Sequence, residues 1–130
     1  MTAYWNYVDA LSYAIALTPT KGRSHRFTSD PARWYKAVRD VCEAYRDKMP
    51  EAFGDIFFEP GDPPYSPQVD HFLHVLAQAG LMSAPNPAYK LFEMSHAQGA
   101  AILRLNAERL GSKKDLLVEI GQRLTTHLGK

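Results

Sequence analysis

Apolar side chains recur at Tyr4, Val8, Leu11 and Ile15, the i, i+4, i+7, i+11 spacing of one helical face, and this pattern predicts a helix over 3–17. Trp5, Tyr7 and Tyr13 add aromatic surface beside the stripe. The next stretch, "TPTKGRSHRFTS" (18–29), is polar throughout and reads as a loop carrying Lys21, Arg23, His25 and Arg26. Ser29-Asp30-Pro31 then supplies a polar cap followed by proline at a first helical position. The helix it opens runs over 31–48, with Trp34, Val38, Val41, Cys42 and Tyr45 inward. Outside, Lys36 with Asp40 and Arg39 with Glu43 have the four-residue spacing and opposite sign that support a helix. Pro50 ends it.

Beyond Pro50, "DIFFE" (55–59) reads as a short strand closed by Pro60-Gly61. Pro60, Pro63 and Pro64 suppress helix up to Tyr65, because each lacks an N–H and restrains the residue before it. Ser66 caps and Pro67 opens a helix over 67–79, whose inner stripe is Val69, Phe72, Leu73 and Leu76. Gly80 suits the left-handed position at its end, with Leu81 packing back. Residues 81–94 alternate as strand, turn, strand, an irregular edge hairpin because of Pro85 and Pro87. Ser95 and Gln98 form a capping box for a helix over 96–110 bearing Ile102, Leu103 and Leu105. Gly111 breaks the chain, and Ser112-Lys113-Lys114-Asp115 opens a last helix to 128 with Leu117, Ile120, Leu124 and Leu128 on one side.

Helix, helix, short strand, helix, strand–turn–strand is the order of a winged helix-turn-helix. The expected fold is therefore mainly α (α+β): a winged-helix core over about 3–94, a small β-hairpin wing, and two additional C-terminal helices over about 95–130, all in one domain. The plainer alternative is a generic α+β domain with a chance hairpin.

The stretch "FFEPGDPPYSPQVDHFLHVLAQAGLM", followed by "YKLFEMSHAQG", resembles a group of prokaryotic winged-helix proteins with a Gly-Pro-Tyr-Ser turn, a helix ending in Gly-Leu and a strand running into Leu-Thr-x-x-Gly. Panacea-domain antitoxins are a looser relation. Pro64, Tyr65, Ser66 and Pro67 match the turn, Gly80-Leu81 the helix end, and Met94-Ser95 with Gly99 the last element. Pro63 stands where that group has glycine and Ser95 where it has threonine. The shared residues are turn and cap residues, so the resemblance implies architecture and no catalytic role.

Composition narrows the class. The 130 residues are 45% hydrophobic and 22% charged, ordinary globular usage for one domain. The lone Cys42 excludes an internal disulfide and a four-cysteine zinc site. No apolar run reaches the roughly 18–20 residues of a membrane span. The N-terminal apolar stretch has no basic segment before it, so a cytoplasmic protein without membrane attachment is expected. A net charge of +1 gives no overall basic excess for nucleic acid.

The expected function is a DNA-binding regulator of transcription, with a protein-interaction module as the alternative. As a DNA-binding transcriptional regulator, the chain would turn Gln68, His71, His74 and Gln78 toward bases, and Arg23, Arg26, Lys90 and Lys113 toward the phosphates of double-stranded DNA. Against this, the 67–79 helix has no Lys or Arg and carries Asp70. As a protein-interaction module of the antitoxin, adaptor or phage-inhibitor kind, it would use the surplus aromatics Tyr4, Trp5, Tyr7 and Tyr13. A homodimer through the first and last helices is compatible with either. His71 and His74 have a chelating i, i+3 spacing, but no third ligand stands near, so no metal is expected. No nucleophile motif, phosphate-cradling loop or carboxylate pair appears, so neither an enzyme nor a cofactor is expected.

Overall fold

A computed structural model of the chain describes residues 6–18, 24–28, 30–78 and 91–128. Among these, the elements run α1 (Tyr7–Ala16), β1 (Ser24–Thr28), α2 (Pro31–Tyr45), α3 (Pro50–Phe53), α4 (Pro67–Gln78), β2 (Leu91–Ser95), α5 (His96–Leu110) and α6 (Lys114–Leu128), with a 3₁₀ turn at Gly111–Lys113. The protein is mainly helical with one small antiparallel sheet, and no described helix is long and apolar enough to cross a membrane.

Local sequence explains most helix starts. Asn6 caps α1 by accepting from the Val8 and Asp9 amides, while Asp9 returns a bond to the Asn6 N–H. Asp30 caps α2 through the Ala32 amide with Pro31 first in the helix. Ser66, fully buried, accepts the Val69 amide at 3.3 Å and opens α4. Ser95 and Gln98 form the expected capping box of α5.

The inner faces of α2 and α6 follow the sequence pattern: Trp34, Val38, Val41, Cys42 and Tyr45 are buried, as are Leu117, Ile120, Leu124 and Leu128. These side chains join α1 and the buried residues of α3, α4 and α5 in one core. Trp34 sits at its middle. Its ring lies 6.1 Å from Phe27 of β1 and 6.1 Å from Phe72 of α4, and its Nε1 donates to the Thr28 carbonyl at 2.7 Å. A buried indole N–H needs such an acceptor, so one side chain ties the sheet to two helices.

Four expectations need correction. The polar stretch 18–29 contains β1, which pairs antiparallel with β2 from Ser24↔Ser95 to Thr28↔Leu91. Alternation is visible there only in hindsight: His25 and Phe27 are buried while Arg26 is exposed between them. "DIFFE" is not a strand; within it Glu59 makes one isolated bridge, to Tyr65. After α2 the chain makes an additional turn of helix, α3, because Pro50 is suited to a first helical position as well as to ending a helix. Gly111 does not break the chain. It takes a right-handed helical conformation (φ −58°, ψ −35°), and the 3₁₀ turn carries α5 directly into α6 in place of a second capping arrangement.

Surface charges also differ from the helix-local pairing. Lys36 reaches Asp62 at 3.7 Å, and Asp40 receives Arg123 at 3.2 Å and stands 3.5 Å from His127. Arg33 donates to the His127 carbonyl, placing a guanidinium on the negative end of α6. The charges of α2 thus fasten α6 and the 54–66 connection. Of the expected hairpin, only the second arm, β2, falls within the described residues, and Gly80, Leu81, Pro85 and Pro87 lie outside them.

Candidate functional site

The four side chains expected to face bases do not share one environment. Gln68 is half-buried and its Oε1 accepts from the Phe57 amide at 3.0 Å and the Ser66 hydroxyl at 3.3 Å. It serves the fold, so it is corrected from a base reader to an anchor. His71 is exposed with its ring set edge-on to Tyr7 at 6.4 Å. His74 and Gln78 are exposed. Between them Asp70 accepts the Tyr35 hydroxyl, and the Tyr35 ring meets Tyr65 edge-on at 5.4 Å. Burial first, then the Asp70 carboxylate, raises the Tyr35 phenol far above its ordinary range, which makes it a structural donor and not a base.

Among the phosphate-facing candidates, Arg26 pairs with Glu93 across the sheet at 3.7 Å. Lys113 is exposed in the 3₁₀ turn, while Arg23 and Lys90 lie outside the described residues. Of the aromatics proposed for a partner, Tyr13 is 5% exposed and belongs to the core, a correction that follows from α1 being flanked by α5 and α6 as well as α3 and α4. Tyr7 is half-buried, and Tyr4 and Trp5 lie outside the described residues. No group of three His, Cys, Asp or Glu able to hold a metal is found among the described residues.

The surface that does stand out lies on the connection from α3 to α4. Ile56 is fully buried, Phe57 is 65% exposed, Phe58 is half-buried and Glu59 is exposed, so the segment alternates like an edge strand with an aromatic on the wrong face. Three bonds fix it there. Arg46 donates from Nε to the Phe53 carbonyl at 3.2 Å and from Nη2 to the Ile56 carbonyl at 3.0 Å, and Gln68 accepts the Phe57 amide. Both polar groups of the Ile56–Phe57 peptide are therefore held, and the Phe57 ring lies outward. Leaving a phenylalanine exposed forgoes roughly 1.5–3 kcal/mol of burial.

Phe57 also rims a cleft of about 330 Å³ lined by Arg39, Cys42, Glu43, Arg46, Ile56 and Phe58. Burial pushes the Cys42 thiol up to about 11, against the opposing pull of Arg46, so it forms an inert part of the wall. Asp55, Glu59 and Asp62 are exposed on the same connection, as is Tyr65 at 40%. The cleft can grip an apolar side chain beside charges of both signs, Arg39 and Arg46 with Glu43. Sequence reasoning missed Phe57 because "FF" within an apolar run reads as strand core. The available signal was that two adjacent phenylalanines in one strand cannot face the same side. No protein-family model, curated protein or solved structure matches this chain.

Proposed function

We propose that the protein is a protein-interaction module of winged-helix type, and that its working surface is the α3–α4 connection with Phe57 as the anchor. The observation that carries this reading is the exposed ring of Phe57, set beside a cleft on a peptide that Arg46 and Gln68 hold. Aromatic side chains seated in partner pockets dominate binding energies at such surfaces. The cleft beside it, with Ile56 and Phe58 in its wall and Arg39, Glu43 and Arg46 also lining it, takes an apolar side chain of the partner flanked by polar residues.

The test is a photo-crosslinkable phenylalanine analogue at position 57 in cells of the source organism, with the same analogue at the exposed Leu105 as the control. A single protein captured from 57 and not from 105, and lost on Tyr65→Ala, supports the reading. Equal products from both positions would sink it.

DNA binding is the second reading, and strand order favours it. β1 follows α1 and pairs with β2, which follows α4, as in a winged helix-turn-helix where the helix before the paired strand reads the groove. His71, His74 and Gln78 are the exposed residues left to read bases, with Asp70 against them. Fluorescence anisotropy with a random duplex at two salt concentrations separates the readings. Micromolar binding that weakens steeply with salt and is reduced by His74→Ala favours DNA. No binding at low salt leaves the protein-binding surface.

A further inference from the structure

A second cleft, of about 310 Å³, lies on another part of the molecule between the end of α1 (Ala16, Thr18), His25 of β1 and the first turns of α5 (His96, Gly99, Ala100, Leu103). His25 is 4% exposed. Its Nδ1 stands 3.0 Å from Thr18 Oγ1, and that hydroxyl donates its own proton to the Ile15 carbonyl at 2.6 Å. With its proton committed, Thr18 Oγ1 has only lone pairs to offer, so His25 Nδ1 carries the hydrogen. Nε2 of the neutral ring is consequently a bare acceptor.

Gly99 keeps that acceptor uncovered: a Cβ there would lie 3.1 Å from His25 Nε2 and 3.5 Å from Cδ2. Every side-chain nitrogen or oxygen sealed from solvent among the described residues has a hydrogen-bond partner, and Nε2 has none, so it opens onto the cleft. Burial, with the charge of His96 second, holds the ring in its neutral form, opposed by the Thr18 backbone.

We propose that this cleft binds a small uncharged aromatic molecule with one hydrogen-bond donor, an indole or a phenol, whose N–H or O–H is accepted by His25 Nε2. The volume is at the small end of ligand pockets, which begin at about 300 Å³, and suits one ring system. Ala16, Gly99, Ala100 and Leu103 supply an apolar lining. A cation is disfavoured because Nε2 is accompanied by no carboxylate among the described lining residues. His25 Nε2 is an oriented acceptor beside an apolar wall, the arrangement that selects for a donor-bearing ligand over its hydrocarbon counterpart.

The experiment is a titration of the full chain, ¹⁵N-labelled at histidine, with indole and separately with toluene. Indole is expected to shift the His25 Nε2 resonance saturably, and toluene to bind at least about tenfold more weakly, the worth of one hydrogen bond. Gly99→Val, which covers Nε2, should abolish the shift. Ala100→Leu, at an exposed lining position where folding is not at stake, should weaken indole binding by obstructing the mouth. Absence of a saturable shift at millimolar indole, equal binding of toluene, or binding unchanged in Ala100→Leu would each overturn the assignment.

Discussion

Gly121 of α6 faces the Ala14 carbonyl of α1 so closely that a Cβ would lie 2.6 Å from that oxygen and 3.1 Å from Thr18 Cγ2. The first of these neighbours is backbone within a buried helix, so it cannot step aside as the end of a flexible side chain would. Gly121→Ala gains helix propensity of about 1 kcal/mol, but overpacking costs about 1–3 kcal/mol and more against backbone. The expected outcome is net destabilisation, read as a lower urea midpoint. Gly111 has nothing within 4 Å of a built Cβ and is already right-handed helical, so Gly111→Ala should move the midpoint the other way, by about 0.4–1 kcal/mol. Both variants stabilised alike would mean α1 and α6 are not in backbone contact.

Ile56 and Phe57 are adjacent, apolar and opposite in consequence. Ile56→Ala removes a fully buried side chain and should cost about 2–5 kcal/mol. Phe57→Ser removes an exposed ring and should change stability by no more than about 0.5 kcal/mol. Thermal melts of the two variants check this directly. A large loss on Phe57→Ser would make the ring a packing residue and remove it as an anchor for a partner.

The Cys42 thiol, pushed up to about 11 by burial, should resist alkylation at pH 8 in the folded protein and react at once in urea. Its accessible surface is 1% of the free value, so access and ionisation act in the same direction. Rapid labelling of folded protein would show that the wall between Arg39 and Ile56 opens, and with it the cleft beside Phe57.

What was readable in the sequence follows from how far each signal reaches along the chain. Asn6 aside, the caps at Asp30, Ser66 and Ser95 are local chemistry of a few residues, and the expected positions hold. The stripes of α2 and α6 are one-sided because each helix buries one face. Leu105, one of the apolar residues along α5, is 69% exposed, whereas Ile102 and Leu110 are buried. β1 was not legible because its partner β2 lies more than sixty residues away, and Ser24–Thr28 carries too few apolar side chains to declare a strand by itself. The charge pairs of α2 went the same way: Asp40 and Lys36 have nearby partners in sequence, yet Arg123 and Asp62 take them. The two clefts depend on such remote meetings. Thr18, His25 and Gly99 become one site only when the sheet closes, and Phe57 becomes notable only once Arg46 and Gln68 are seen to hold the Ile56–Phe57 peptide.

His25 ties stability to pH through that closure. Burial lowers its pKa below the ordinary histidine value of about 6.5, which the unfolded chain retains. Between the folded and unfolded values the unfolded chain binds more protons, so stability rises with pH across this window and is lost as pH falls below about 6.5. The slope from this one group is at most about 1.4 kcal/mol per pH unit, and it flattens once pH drops below the folded value. His25→Gln should remove that component. His96→Gln removes the second cause of the shift, bringing the folded value nearer 6.5 and making the loss shallower. Urea midpoints at pH 7.5, 6.5 and 5.5 for the three proteins test this. Parallel curves for the parent chain and His25→Gln would mean the imidazole is not held neutral beside Thr18, and the bare acceptor at Nε2 would go with it.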